Sequence, residues 1–301
     1  MFKSISKVVL SLVVAALLVL AFILVSAHRQ VRAVTPDLPT ESDLLAIKSR
    51  DGPVNVSYLL TSSQALGHGQ IAHISIIVEW ADGKLFVIDT GMSQGEARAF
   101  GAFLKKLDSS AGHVNAVGTI ATLLQDDIHR VAGVGFTHLH IDHTEGVREF
   151  CSVRRSGAVV LQSVTQATLH NFNTKEGAEL IARSCLKRQE FNGDTLSQFD
   201  DFPGIAAYSL GGHTPGSTLW AVALNNKMLL FSGDTTNDKH SIYHDKAKPS
   251  LYSYLLVPEN TNRTATLRKW LLSFDKKENF SVIVSHDLEN TKEYLPRFTV
   301  H

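Results

Sequence analysis

The chain is poor in cysteine and carries no excess of either charge. Cys151 and Cys185 are the only cysteines in 301 residues, and neither stands in a ligand motif, which argues against a cysteine-built zinc site. They leave two readings open, a disulfide in an oxidising compartment or a pair of buried thiols. Twenty-nine basic residues balance 29 acidic ones, so there is no electrostatic footprint for a nucleic-acid backbone, and no nucleic-acid partner is expected. No repeat at a fixed short period and no low-complexity segment is present, so neither a repeat array nor a biased tail is indicated.

What the chain does have is apolar residues, 44% of the total, enough for a full-sized core. Twenty of them or their small neighbours form an uncharged run over residues 8–27, preceded by Lys3 and Lys7. A helix of that length crosses a bilayer. Val25-Ser26-Ala27 also offers a small-residue site for a signal peptidase, but cleavable apolar cores are usually about 7–15 residues long, and an uncleaved anchor is favoured. The leading lysines hold the amino terminus in the cytoplasm, against a weaker opposing bias from Arg29 and Arg32. On either reading the rest of the chain lies outside the cytoplasm, membrane-tethered or released. Three parts follow: residues 1–27 as the membrane segment, 28–44 as a polar linker containing Pro36 and Pro39, and 45–301 as one large domain.

Within that domain, β-branched apolar runs at 71–80 and 84–89 are separated by Ala81-Asp82-Gly83, a hairpin signal. Helical periodicity is expected over 95–107 and 114–124, then a short strand at 133–136. Further strands are expected at 158–162, 205–210, 218–224, 228–232 and 280–285, with helix-rich sequence at 163–188 and a helix at 264–274. Periodicity alone gives a mixture of α and β.

Residues 137–146, Thr-His-Leu-His-Ile-Asp-His-Thr-Glu-Gly, place His138, His140, Asp142 and His143 within six positions. Imidazole and carboxylate bind zinc and similar divalent ions at neutral pH, and these spacings let one tight loop aim all four side chains inward. A single histidine in a chain with 14 of them is usually a satisfied surface or core residue; four ligand-type residues so arranged are a metal site.

This run resembles the His-x-His-x-Asp-His signature of the metallo-β-lactamase-fold hydrolases. Gly-His-Thr-Pro-Gly-Ser, Phe-Ser-Gly-Asp-Thr and Ile-Val-Ser-His-Asp supply His213, Asp234 and His286 in the family's order, each at the end of a strand-like run. The resemblance covers residues 71–287 and implies an α/β fold of four layers, an αββα sandwich. It further implies that His138, His140 and His213 hold one metal ion, that Asp142, His143 and His286 hold a second, and that Asp234 bridges the two. The implied cofactor is a pair of Zn2+ ions, with iron or manganese as alternatives. Two such ions share a water and leave a hydroxide for attack on an electrophilic carbon or phosphorus. Asp142 is then the proton shuttle, and Asp89 the residue supporting the metal loop from behind. Asp287 is a weaker candidate for the same supporting role.

Within the family, His140 in place of a carboxylate favours zinc hydrolases over the di-iron oxidoreductases, and Asp234 points away from the true β-lactamases. The sequence around Asp89-Thr90-Gly91-Met92 and the final Ser-His-Asp look most like the N-acyl homoserine lactonase group, with glyoxalase II-like members beside it. One departure is Asn237, where those lactonases carry a tyrosine three residues after the bridging aspartate; Tyr243 is the nearby substitute in sequence. Phe172, Tyr243, Leu251, Tyr252 and Tyr254 could line an acyl pocket or simply pack, and Lys187 and Arg188 could meet an anion or face solvent. The expected activity is hydrolysis of an ester-like bond in a small-molecule substrate, lactone or carboxylic ester first. Thioester or phosphodiester hydrolysis stands second, a mononuclear iron dioxygenase acting on persulfides is the alternative of another class, and an inactive metal-binding module is the third.

Overall fold

The computed structural model describes residues 2–67, 69–154 and 157–300, with side chains from Lys7 onward, so the Lys3 side chain lies outside the described residues. Seven strands form the first sheet: β1 (Asn55–Leu66), β2 (Gly69–Glu79), β3 (Leu85–Ile88), β4 (Val114–Ala116), β5 (Val131–Gly135), β6 (Val159–Ser163) and β7 (Lys187–Phe191). They run in the order β4-β1-β2-β3-β5-β6-β7, antiparallel from β4 to β3 and parallel from β3 to β7. The second sheet holds β8 (Ser197–Gln198), β9 (Ile205–Ser209), β10 (Thr218–Leu224), β11 (Lys227–Phe231) and β12 (Phe280–Ile283), in the order β12-β11-β10-β9-β8.

Strand periodicity sorts the apolar side chains into three layers of core. Ile74, Ile76, Val78, Phe86 and Ile88 meet Trp220, Val222, Leu229 and Phe231 between the sheets. Their outward neighbours Ile77, Val87 and Val134 pack under helices with Ile120, Leu124 and Phe150. Leu219, Ala221, Leu230 and Val282 pack likewise under the helix Thr261–Asp275, against Leu267, Leu271 and Phe274. The result is the expected αββα sandwich.

Three expectations need correction. Residues 114–124 are not one helix: Val114–Ala116 pairs with β1 as an edge strand, and only Ile120–Leu124 is helical, the break falling at Gly118 with φ of +152°. The helix-rich stretch ends in β7 instead of continuing to residue 188. Strand β1, 12 residues long, lies where no strand was expected.

The amino-terminal helix runs from Phe2 to Arg32 without a break. Its last turns are packed on the domain: Ala27 and Val31 are buried, and His28 Nε2 donates to the Tyr254 carbonyl oxygen at 3.1 Å. Beyond it, the carbonyl oxygens of Pro36 and Pro39 accept from Arg263 and Trp270 at 2.7 and 3.0 Å, so the polar stretch lies against the second sheet's helix. A short helix, Glu41–Leu45, capped by Thr40, then buries Leu44. Cys151 and Cys185 form a disulfide that ties the helix Val147–Val153 to the start of β7.

Candidate metal centre

All seven expected ligands meet at one end of the sandwich, each on a turn or short helix that follows a strand. The 137–146 segment leaves β5 and turns at once into a helix, Ile141–Thr144, so that His138 and His140 project from the turn and Asp142 and His143 from the helix. The turn docks tightly because Gly146 has no Cβ, which would stand 2.2 Å from the Thr90 carbonyl oxygen. His213 follows Gly211 and Gly212, whose φ values of +64° and +87° bend the β9–β10 connection sharply enough to face the metal loop. Asp234 and His286 follow β11 and β12, neighbours in the second sheet.

The donor atoms form two groups. His140 Nδ1 lies 2.9 Å from His138 Nε2 and 3.3 Å from His213 Nε2. In the second group, Asp142 Oδ2 lies 3.3 Å from His143 Nε2 and 3.7 Å from His286 Nε2. Asp234 stands between them, with Oδ2 3.6 Å from His213 Nε2 and 2.9 Å from His286 Nε2, and Oδ1 3.6 Å from His143 Nε2.

These residues fit divalent cations. His143 Nε2 and Asp234 Oδ1 are buried and have no hydrogen-bond partner, an arrangement that leaves their desolvation uncompensated in the absence of a ligand. Burial, reinforced by the neighbouring His213, brings His140 down to about 3, which keeps it in the neutral form that ligates metal. Burial would raise Asp142 and Asp234, but the surrounding imidazoles outweigh it and hold both carboxyls well below their usual range. His143 is pushed up against its own burial by Asp142 and Asp89, as expected of an anionic cage that calls for positive charge.

A second layer fixes the ligands. Asp89 Oδ2 faces His143 Nδ1 at 2.8 Å, and its two oxygens accept from the Thr137 amide and hydroxyl at 2.8 and 2.7 Å. His286 Nδ1 donates to the Ala72 carbonyl oxygen at 2.7 Å. His213 Nδ1 lies 2.5 Å from Glu259 Oε1, and Glu259 in turn accepts from Ser253 at 2.6 Å and pairs with Lys248 at 3.3 Å. Lys248 also donates to the Asp234 carbonyl oxygen at 2.8 Å.

Glu259, Lys248 and His73 escaped sequence reading. The first two lie in a long loop where a charged residue is ordinarily solvated; here Glu259 is 4% exposed. His73 Nε2 stands 3.4 Å from Asp142 Oδ2 and belongs to the second donor group with Asp142 and His286.

Other expectations fall away. Asp287 caps the helix Leu288–Tyr294, accepting from the Asn290 amide at 3.0 Å, and does not support His286. Tyr243 turns its hydroxyl to Asp275 Oδ2 at 2.6 Å, and Asn237 is exposed. Tyr252 lies beside Lys248, its ring 5.5 Å from Nζ, and burial, reinforced by the Asp234, Glu259 and Asp142 carboxylates against the opposing Lys248, pushes its phenol above the usual tyrosine range. Lys187 and Arg188 are exposed, the latter 3.2 Å from Glu190.

Comparison with known proteins agrees with this architecture. The family model described as the metallo-beta-lactamase superfamily matches residues 69–282. An N-acyl homoserine lactone hydrolase solved with N-hexanoyl-L-homoserine at its catalytic metal centre superposes with a TM-score of 0.60 at 16% identity, over 81% of this chain and 98% of that one. A B. thuringiensis AiiA variant with N-decanoyl-L-homoserine bound gives 0.59 at 16% identity, over 81% and 98%. AidC, a dizinc quorum-quenching lactonase, gives 0.52 at 16% identity, over 73% and 74%. At these identities the likeness is one of fold. A search of curated proteins finds no match.

Proposed function

The chain belongs to the metallo-beta-lactamase superfamily, and from that premise we propose that it is a metal-dependent hydrolase that binds two zinc ions and opens an ester-like bond, lactone or carboxylic ester first. The observation that carries this reading is Asp234, one carboxylate set between two groups of convergent donors. Two divalent cations bound there supply Lewis acidity and a nucleophile drawn from water at neutral pH. His138, His140 and His213 would hold one ion, and Asp142, His143 and His286 the other, with Asp234 shared.

The chain's own residues do the rest. Asp142, a donor of the second group that is 7% exposed, would take a proton from the attacking water and pass it to the leaving group. Tyr252, whose ring lies beside Lys248, would take the role expected of Tyr243 and offer its phenolic O–H to the substrate carbonyl. Asp89 and Glu259 hold the imidazoles of His143 and His213 in one orientation and tautomer. A mononuclear iron centre would need only one donor group, and the convergence of Asp142, His143 and His286 into a second favours hydrolysis.

We also place the protein in a membrane, with its catalytic domain outside the cytoplasm and the amino-terminal helix retained. Lys7–Arg32 has a mean hydropathy of 3.3 in its apolar window, and the Val25-Ser26-Ala27 segment lies inside the helix with Ala27 packed on the domain. The disulfide suits an oxidising compartment. Leu251, Tyr254 and Leu255 are exposed beside the helix end, and Asn173 Nδ2 bonds the Leu256 carbonyl oxygen at 2.6 Å, bringing the exposed Phe172 to the same rim. Exposed apolar side chains along this rim would suit a small amphiphilic substrate with an acyl chain.

Kinetics of the detergent-solubilised full chain on matched acyl lactones, carboxylic esters, thioesters and phosphodiesters test this reading. It predicts chelator-sensitive turnover with kcat/KM highest on the lactone or ester and rising with acyl length. Preference for a thioester or phosphodiester would assign the site to the alternative hydrolases, and oxygen consumption with a persulfide would overturn it.

A further inference from the structure

We propose that His73, on β2, is an additional protein ligand of the second metal ion, beside Asp142, His143, His286 and Asp234. This rests on the two-ion reading above and adds to it a donor from a strand that the sequence motifs do not touch. His73 is 4% exposed, yet its Nε2 has no hydrogen-bond partner. The 3.4 Å separating that atom from Asp142 Oδ2 is longer than an ordinary N–H···O bond of about 2.7–3.2 Å. It falls within the spacing of about 3.0–3.6 Å between neighbouring donors each about 2.1 Å from one five-coordinate ion. His143 Nε2 and His286 Nε2 stand at the comparable distances of 3.3 and 3.7 Å from the same oxygen.

The surrounding structure is built to hold this ring. The β1–β2 register shifts between Leu60 and Ser62, so that Ser62 and not Thr61 faces His73. Bulges of this kind re-aim side chains beside functional sites. Ser62 Oγ lies 2.9 Å from His73 Nδ1, while the Thr61 hydroxyl donates to the His73 carbonyl oxygen at 2.9 Å. With Nδ1–H donated to Ser62 Oγ, the tautomer a metal-bound Nε2 requires, the Nε2 lone pair points at the metal cluster. Phe100 and His286 contact the imidazole edge to face at 5.2 and 4.9 Å and limit its rotation.

The test is stepwise zinc binding by the full chain in detergent, measured by chelator competition, with zinc-edge X-ray absorption counting the imidazoles around the metal. His73→Phe preserves volume, and His73→Asn is carried beside it so that misfolding of one variant leaves the other to decide. The second binding step should weaken by on the order of 100-fold in either variant and by about tenfold in Ser62→Ala, the first step staying unchanged. The average imidazole count should fall in both His73 variants. Two ions in the wild type with an unaltered second step or imidazole count in the variants would overturn the His73 assignment alone. A wild-type chain that binds a single ion would overturn the two-ion reading and this assignment with it.

Discussion

Asp89 reaches His143 from a backbone that few residues adopt: its Oδ2 lies 2.8 Å from His143 Nδ1 while its φ is +62°. Aspartate tolerates this left-handed conformation better than most residues, but holding it costs on the order of 1–3 kcal/mol. The turn Asp89-Thr90-Gly91 therefore keeps a strained aspartate where it orients His143, a proposed metal ligand. Asp89→Asn retains the shape and the backbone tolerance but removes the charge. It should weaken metal affinity by roughly 10–100-fold and also lower the melting of the metal-free chain, where Asp89 pairs with His143 and accepts from Thr137. Unchanged affinity would show that the contact serves only the turn.

Glu259 gives a prediction in pH. Burial would raise its carboxyl, but Lys248 and His213 outweigh burial and bring it down from 4.5 to about 2. A carboxyl lowered on folding stabilises the native state fully above its unfolded value and loses that contribution as pH falls through its folded value. The stability difference between wild type and Glu259→Gln, measured without metal, should therefore be flat above pH 4.5 and shrink toward about pH 2. Its plateau should be about 3–5 kcal/mol, because the variant leaves Lys248 buried without its partner. A difference that grows on acidification would contradict this origin.

The two tyrosines should separate. Tyr252→Phe should lower kcat on the preferred ester or lactone by about 100-fold, as expected for loss of a donor to the reacting carbonyl. Tyr243→Phe loses only the bond to Asp275 and should leave kcat unchanged, with about 1 kcal/mol of stability lost. The reverse order would return Tyr243 to the site.

Gly135 tests the packing beneath the metal loop. A Cβ there would lie 2.2 Å from Trp220 Cζ2, and that indole also donates from Nε1 to the Phe136 carbonyl oxygen at 3.1 Å. Gly135→Ala should destabilise the chain by about 1–3 kcal/mol. Thermal melting with and without zinc checks this, and a variant as stable as wild type would mean that Trp220 gives way freely.

The centre was legible in sequence where ligands crowd into one loop or follow directly on a strand-like run, as with His138 to His143, His213, Asp234 and His286. Asp89 was legible by resemblance. His73 was not, because one histidine in the run Ile71-Ala72-His73-Ile74 has no spacing partner; its signal is the polar pair His73 and Ser75 on the face that also carries the apolar Ile77. Strand β1 escaped for the opposite reason. Its buried Ser57, Thr61, Ser62, Ser63 and Gln64 blur the alternation that marks strands, and Thr61, Ser62 and the Gln64 amide nitrogen are tolerated because neighbouring strands and side chains supply partners such as His73 and the Gly101 and Gly112 carbonyl oxygens. Glu259 and Lys248 meet the site only through tertiary folding of a loop, which no local pattern encodes.

The central claim is that Asp234 joins two metal sites into one hydrolytic centre, and the most direct measurement is zinc per chain, by elemental analysis, in wild type and Asp234→Ala, with hydrolysis followed on the same samples. The account predicts about two zinc ions per wild-type chain, and in the variant a loss of the second ion together with most of the turnover. A variant that retains both zinc and activity, or a wild-type chain that hydrolyses esters with a single ion, would contradict it.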